Sequence, residues 1–210
     1  MSVTDMTLPL HVSHCHHYDR RMARWQSGAR ERLAASALEL FTSQGFERTT
    51  VAEIAAEAGL TERTFFRYYA DKPEVLFAGQ DEFEGLFLAG LEASSSTHPM
   101  DLVAAALDHA AAFFPDERRS WSRSRQAVVT GNVALQEREL HKLSALAQAL
   151  TSALIERDVD PTAAALAAEA GVSVFRRSFA TWITEGETRP FREIQSAVLH
   201  QLQALLSSTG

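Results

Sequence analysis

The stretch Thr50-Val51-Ala52-Glu53-Ile54-Ala55-Ala56-Glu57-Ala58-Gly59-Leu60-Thr61-Glu62-Arg63-Thr64-Phe65-Phe66-Arg67-Tyr68-Tyr69 decides the fold. Thr50 and Glu53 have capping-box spacing, in which each side chain satisfies a backbone N–H of the other residue that the helix leaves unpaired. A short helix follows to Ala58, Gly59 breaks it, and Thr61 caps a second short helix from Glu62 to Tyr68. Two such helices joined by Ala58-Gly59-Leu60, with Ala55 facing inward, meet the requirements of a helix-turn-helix that lays its second helix in a DNA major groove. Many helical bundles share this spacing, so the spacing alone does not settle the function.

Upstream, Leu33, Ala34, Ala37, Leu38 and Phe41 recur at helical spacing, and Gly45 stands where a helix C-cap glycine belongs. They predict a first helix from about Arg24 to Gln44. Before it, residues 1–19 show no period and read as a flexible arm. The run His11, His14, Cys15, His16, His17 offers metal-ligand types, but closely spaced ligands on an unordered arm do not close a site, so no metal is assigned. Arg20, Arg21 and Arg24 fit either an arm reaching a narrow minor groove or a solvated cluster.

Downstream every segment is again helical. Pro73 suits the first turn of a fourth helix marked by Val75, Leu76, Phe83, Leu86, Phe87 and Leu91. Val103, Leu107, Ala110 and Phe114 mark a fifth, Asp116 to Thr130 is a sixth, and Leu140, Leu143, Ala147, Leu150 and Leu154 mark a seventh. Ala165, Ala168, Val172, Phe175, Phe179 and Trp182 mark an eighth, and Phe191, Ile194, Val198, Leu202 and Leu205 a ninth. No segment alternates as a strand does. The expected fold is all-α with about nine helices: a three-helix DNA-binding domain over residues 20–72 and a larger helical domain over 73–210.

Composition agrees. Of 210 residues, 46% are hydrophobic and 22% charged, the balance of a folded domain. No run approaches the roughly 18 apolar residues of a spanning helix, which excludes an integral membrane protein. There is no secretory pattern at the start. A single cysteine rules out an internal disulfide and fits a reducing cytoplasm. The net charge of −7 is uneven: Arg20 to Lys72 balances at +2 and the chain from Pro73 onward at −7. A cationic N-terminal third thus precedes an acidic remainder.

The residues Arg32 to Phe41, Gly45 to Val51, Ile54 to Thr61, Thr64 to Tyr69, Asp71-Lys72 and Leu76-Phe77 closely resemble the DNA-binding domain of TetR-family transcriptional regulators. The resemblance implies a homodimer on a pseudo-palindromic double-stranded DNA site. It puts Thr50 at a phosphate, through its hydroxyl and backbone N–H. It puts Thr61, Glu62, Arg63, Thr64 and Phe66 on the first turns of the helix that reaches base edges. Arg63 suits a guanine and Phe66 a thymine methyl. Family members usually carry tyrosine where Phe66 stands, so a phosphate hydrogen bond is absent here. Tyr68 and Lys72 match positions that fix phosphates without reading sequence.

The resemblance also makes the helices after the fourth a ligand-binding and dimerisation domain. Asn132 to Leu140 and the helix Ala163 to Trp182 are similar to a subgroup with an acyl-CoA-like effector. Phe83, Phe87, Leu91, Phe113, Phe114, Trp121, Arg123 and Val128 are the candidate pocket, with Arg118, Arg119 and Arg125 as further cations for an anionic head group. On this reading, helix four carries the ligand's effect to the recognition helix. Val172, Phe175, Phe179 and Trp182 with Ile194, Val198 and Leu202 are the expected dimer seam, where Ala164, Ala168 and Gly171 permit close approach. No cofactor is implied. G-x-S-x-G, G-x-x-x-x-G-K, H-E-x-x-H, G-x-G-x-x-G and C-x-x-C are all missing. An enzyme with no short motif and a DNA-binding protein with no effector are the rival readings.

Overall fold

Leu33, Ala37 and Phe41 lie on one stripe of α1 (Cys15–Gln44), and burying that stripe organises the first part of the chain. The coordinates are a computed structural model that describes residues 15–207, with side chains from residue 28 onward apart from Leu206. Against α1 pack α2 (Val51–Glu57) and α3 (Glu62–Tyr68), which contribute Ile54, Ala55 and Phe65 to the same core. Gly59 joins them at φ +67, the left-handed region that glycine enters without strain, and Leu60 N–H closes the turn on the Ala55 carbonyl at 2.8 Å.

The helix α1 begins earlier than the apolar pattern places it. The pattern starts at Leu33, whereas Cys15 to Gly28 carries a sparser stripe of its own, Cys15, Tyr18, Met22 and Trp25 at spacings of three and four, set among histidines and arginines. Residues 15–19 of the expected arm are therefore helical. Residues 1–14, with His11 and His14, lie outside the described residues, as do the side chains of Cys15, His16, His17, Arg20, Arg21 and Arg24.

The chain divides into two compact units between Leu76 and Phe77. Pro73–Phe77 is a 3-10 turn, and α4 (Gln80–Ala93) starts only after Gly79, held at φ +86 with Phe113 Cζ 3.1 Å from where a Cβ would stand. The stretch from Pro73 to Leu91 is therefore not the single helix expected. The second unit continues through α5 (Pro99–Ala110), α6 (Arg119–Thr130), α7 (Val133–Ile155), α8 (Pro161–Trp182) and α9 (Phe191–Ser207). Asn132 caps α7, and Asp160 accepts from Thr162 and Ala163 N–H, each at 3.0 Å, to cap α8. Among the described residues there is no strand, and no helix is long and apolar enough to cross a membrane.

Two glycines set the closest approaches in this unit. A Cβ on Gly90 of α4 would stand 2.6 Å from the Ala105 carbonyl oxygen and 2.9 Å from Ala106 Cα, both in α5. A Cβ on Gly171 of α8 would meet Val103 Cγ1 at 2.6 Å. Gly85 of α4 meets nothing within 4 Å. Substituting alanine at the two α4 glycines should therefore have opposite effects in denaturant unfolding. Gly85→Ala gains about 0.5–1 kcal/mol of stability from backbone entropy. Gly90→Ala loses about 1–3 kcal/mol, because backbone must move to admit the methyl.

Candidate nucleic-acid interface

Capping positions the start of α2. The Thr50 backbone N–H and hydroxyl both donate to Glu53 Oε2 at 2.8 Å, and Thr50 Oγ1 accepts from Glu53 N–H at 3.2 Å. The Thr50 backbone bond, then the Thr50 hydroxyl, holds the Glu53 carboxyl below its ordinary value. The two Thr50 groups expected at a phosphate are thus already bonded to a carboxylate within the capping box.

In α3 the helical period separates anchors from exposed groups. Phe65 is fully buried; Tyr69, four residues on, is buried too and donates its hydroxyl to the Arg30 carbonyl at 3.1 Å. Burial raises the Tyr69 pKa, which keeps the hydroxyl a proton donor. The other faces turn outward. Thr61, Glu62, Arg63 and Phe66 are exposed, Phe66 by 54%. Thr61 Oγ1 accepts from Thr64 N–H at 3.3 Å, and the two threonine hydroxyls are 3.0 Å apart. Among the described residues, Glu62 and Arg63 make no hydrogen bond or ion pair. The half-buried Tyr68 hydroxyl accepts from Arg67 at 3.1 Å, with the guanidinium 5.0 Å from the Tyr68 ring centre. Lys72 differs from the others: its ammonium donates to the Phe46 and Thr49 carbonyls, both at 2.8 Å.

One short capped helix thus presents an unpaired arginine and an exposed aromatic side by side, on a three-helix scaffold. Residues 33–78 match the family described as bacterial regulatory proteins, tetR family. The N-terminal unit is a TetR-family DNA-binding domain. The HTH-type transcriptional regulator TcmR of Streptomyces glaucescens is 46% identical over 63 residues, which span 30% of this chain and 28% of TcmR. The chain thus matches less than a third of that relative's length. Solved structures of transcriptional regulators are alike over most of this chain. SmeT, the repressor of the Stenotrophomonas maltophilia multidrug efflux pump SmeDEF, superposes with a TM-score of 0.55 at 20% identity, over 84% of this chain and 89% of its own. FadR from Bacillus subtilis, solved with stearoyl-CoA, gives 0.54 at 17% identity over 82% and 96%. At these identities the likeness is one of fold.

The second unit gathers most of the expected aromatic residues into one core. Phe83, Phe87, Phe113, Phe114, Phe175, Phe179, Trp182 and Phe191 pack ring on ring, with centroids 4.6–6.2 Å apart, and Leu91 joins them. Trp121 and Val128 are half-buried on α6, outside that cluster. A cleft of about 380 Å³ lies elsewhere, lined by polar residues at the end of α8 such as Thr181, Thr184 and Glu187.

The α6 arginines part company. Arg123 donates to the Ile183 and Thr184 carbonyls at 2.8 and 3.1 Å, which ties it to the end of α8 and away from the rings. Arg119 binds Asp116 and the Glu187 and Arg189 carbonyls, and Arg125 binds Glu139. The Arg118 guanidinium, just before α6, makes no hydrogen bond among the described residues and lies 4.0 Å from the Phe113 ring centre. Burial pushes its pKa down, against the pull of Glu82.

Four residues of the expected dimer seam are internal, and the other three stay half-buried. Val172, Phe175, Trp182 and Ile194 are buried, and Phe179, Val198 and Leu202 pack on them within the same protomer. Ala164, Ala168 and Gly171 are buried there as well, with Gly171 close against Val103 of α5. The apolar period was read correctly, but the chain's own α5 and aromatic cluster cover it.

The Glu53 bonds carry a pH dependence. A carboxyl whose folded pKa is lowered contributes stability above its unfolded value, near 4.5, and that contribution disappears as pH falls through the folded value. Urea unfolding between about pH 3 and pH 7 should therefore show part of the stability falling below about pH 4.5. Glu53→Gln should flatten that part of the curve, and an unaltered curve would remove Glu53 as its source.

Proposed function

We propose that this protein is a transcriptional regulator that binds a pseudo-palindromic DNA site as a homodimer, represses from it, and is released by a small amphipathic or apolar ligand. The exposed face of α3 carries the reading. Arg63 holds all its guanidinium donors in reserve for a guanine edge, and Phe66 offers apolar surface of the kind that meets a thymine methyl. Arg63→Ala should weaken binding to a preferred site by about 1–3 kcal/mol and binding to random DNA far less. Equal losses on the two DNAs in a fluorescence-anisotropy titration would take Arg63 out of base recognition.

Two half-sites call for two recognition helices, hence for a second copy. With the seam turned inward, the surface left for a partner is the outer side of α8 and α9. There Leu166 is 68% exposed and Leu205 70% exposed, and Ala165, Ala197 and Ala204 are exposed as well. Leu166 lies near the start of α8 and Leu205 near the end of α9, away from the loop joining the two helices. A double Leu166→Glu, Leu205→Glu variant should stay folded and sediment as a monomer, since a charge buried without a partner costs several kcal/mol. Phe179→Asp should unfold the second unit instead. A folded double variant that still sediments as a dimer would place the interface elsewhere.

An effector of acyl-thioester type fits the aromatic cluster, whose rings Phe113 and Phe179 are only half-buried at its margin, and the Arg118 guanidinium over Phe113, which is hydrogen-bonded to no carboxylate. FadR of Bacillus subtilis, alike in fold, holds stearoyl-CoA. The close ring packing favours one rival, a regulator with no effector. Acyl-CoAs of increasing chain length, titrated into the DNA complex, distinguish the two. Release that grows with chain length supports the effector, and no release together with no thermal shift leaves the regulator without one.

A further inference from the structure

Lys72 follows the recognition helix at a position matched to a phosphate contact, yet its ammonium is bonded inside its own domain. Nζ donates to the carbonyls of Phe46 and Thr49 at 2.8 Å each and lies 4.3 Å from the Phe46 ring centre. An ammonium has three donors, so two of them are committed to carbonyl oxygens. These carbonyls bracket the turn that carries the chain from Gly45, at φ +89, to the α2 cap at Thr50.

Other contacts hold the turn as well: Arg48 Nε donates to the Gln44 carbonyl at 2.6 Å, and the Phe46 ring centre lies 5.0 Å from that of Phe41. Thr49 N–H reaches the Phe46 carbonyl at a long 3.3 Å, Thr49 Oγ1 donates to the Gly45 carbonyl at 2.9 Å, and Gln44 Nε2 donates to Thr49 Oγ1 at 3.3 Å. Lys72 adds two short bonds from a charged donor, which are roughly twice as strong as neutral ones. With the Phe46 ring beneath it, the ammonium fixes the backbone of the residues immediately before α2.

We propose that Lys72 is a positioning residue for DNA binding: its ammonium braces the Phe46 to Thr49 turn, and so sets where α2 begins and where α3 is presented, without neutralising a phosphate. The role rests on the DNA-binding function proposed above. Exchange in the DNA-free protein tests the brace even where no DNA binds.

The salt dependence of binding separates a brace from a phosphate contact. Each phosphate-bound cation contributes about 0.9 to the slope of log K against log salt, and a brace contributes none. Lys72→Met keeps the aliphatic stem over Phe46 and removes the ammonium. It should lower affinity roughly tenfold, leave the salt slope unchanged, and speed hydrogen exchange at the amides of residues 47–50 in the DNA-free protein. A slope shallower by about 0.9 per lysine removed, or unchanged exchange in the free protein, would overturn the proposal. Should Lys72→Met fail to fold, nitrogen-15 spectra of the wild-type lysine ammonium decide. A resonance that is protected in the free protein and does not move when DNA is added supports the brace, and one that shifts on DNA binding contradicts it.

Discussion

A helix of seven residues has no stability of its own in water, where isolated helices below roughly 12–15 residues are marginal, and α3 is that short. It exists because Phe65 and Tyr69 lock it to α1 and α2. Burying a phenylalanine stabilises by about 1.5–3 kcal/mol, and the Tyr69 hydroxyl adds its bond to the Arg30 carbonyl. With Phe65 turned inward, helical period leaves 63 and 66 outward, and Glu62 is exposed as the first residue of the helix. Fold and recognition are thereby assigned to different residues of the same two turns. Arg63 carries no structural duty that the described contacts reveal, and the exposed Phe66 meets only the edge of the Phe65 ring, with centroids 5.5 Å apart.

The second unit obeys the opposite rule. Its aromatic residues serve the core first, and Trp182 with Phe114, Phe175 and Phe191 joins α8 to α9 and to the turn after α5. Small residues at 90 and 171 then bring α4 and α8 close against α5. Once these seams close within a protomer, any partner copy is left with the outer sides of α8 and α9, which are mixed in polarity and carry isolated leucines. The arginines around α6 are divided in the same way. Three are bonded to carbonyls or carboxylates that hold loops and helix ends in place, and Arg118 lies over an aromatic platform with Glu82 as a neighbouring charge but no bonded anion.

Much of this was legible in the sequence, for identifiable reasons. Caps at Thr50 and Thr61 and breaks at Gly45 and Gly59 act locally, so helix existence and order could be read one segment at a time. The exposed residues of α3 followed from helical period and the resemblance together. Three features were not legible. The extension of α1 back to Cys15 is announced only by a sparse stripe, Cys15, Tyr18, Met22 and Trp25, set among histidines and arginines. The 3-10 turn after Pro73 depends on Gly79 packing against Phe113, a neighbour far along the chain. An apolar seam, finally, states that a face is covered but not by what, and so Phe175 and Val172 read equally well as interface or core. Which ionisable groups are already bonded, as at Lys72 and Arg123, depends on contacts across many residues and could not be seen from spacing.

The central claim is that α3 reads DNA sequence from a rigid, capped platform. The most direct measurement is to let the purified protein select from a pool of random duplexes and to sequence what it retains. The account predicts enrichment of two inverted half-sites related by a dyad, as two recognition helices in a symmetric dimer require. Retained DNA indistinguishable from the input pool, at a salt concentration where binding persists, would contradict it.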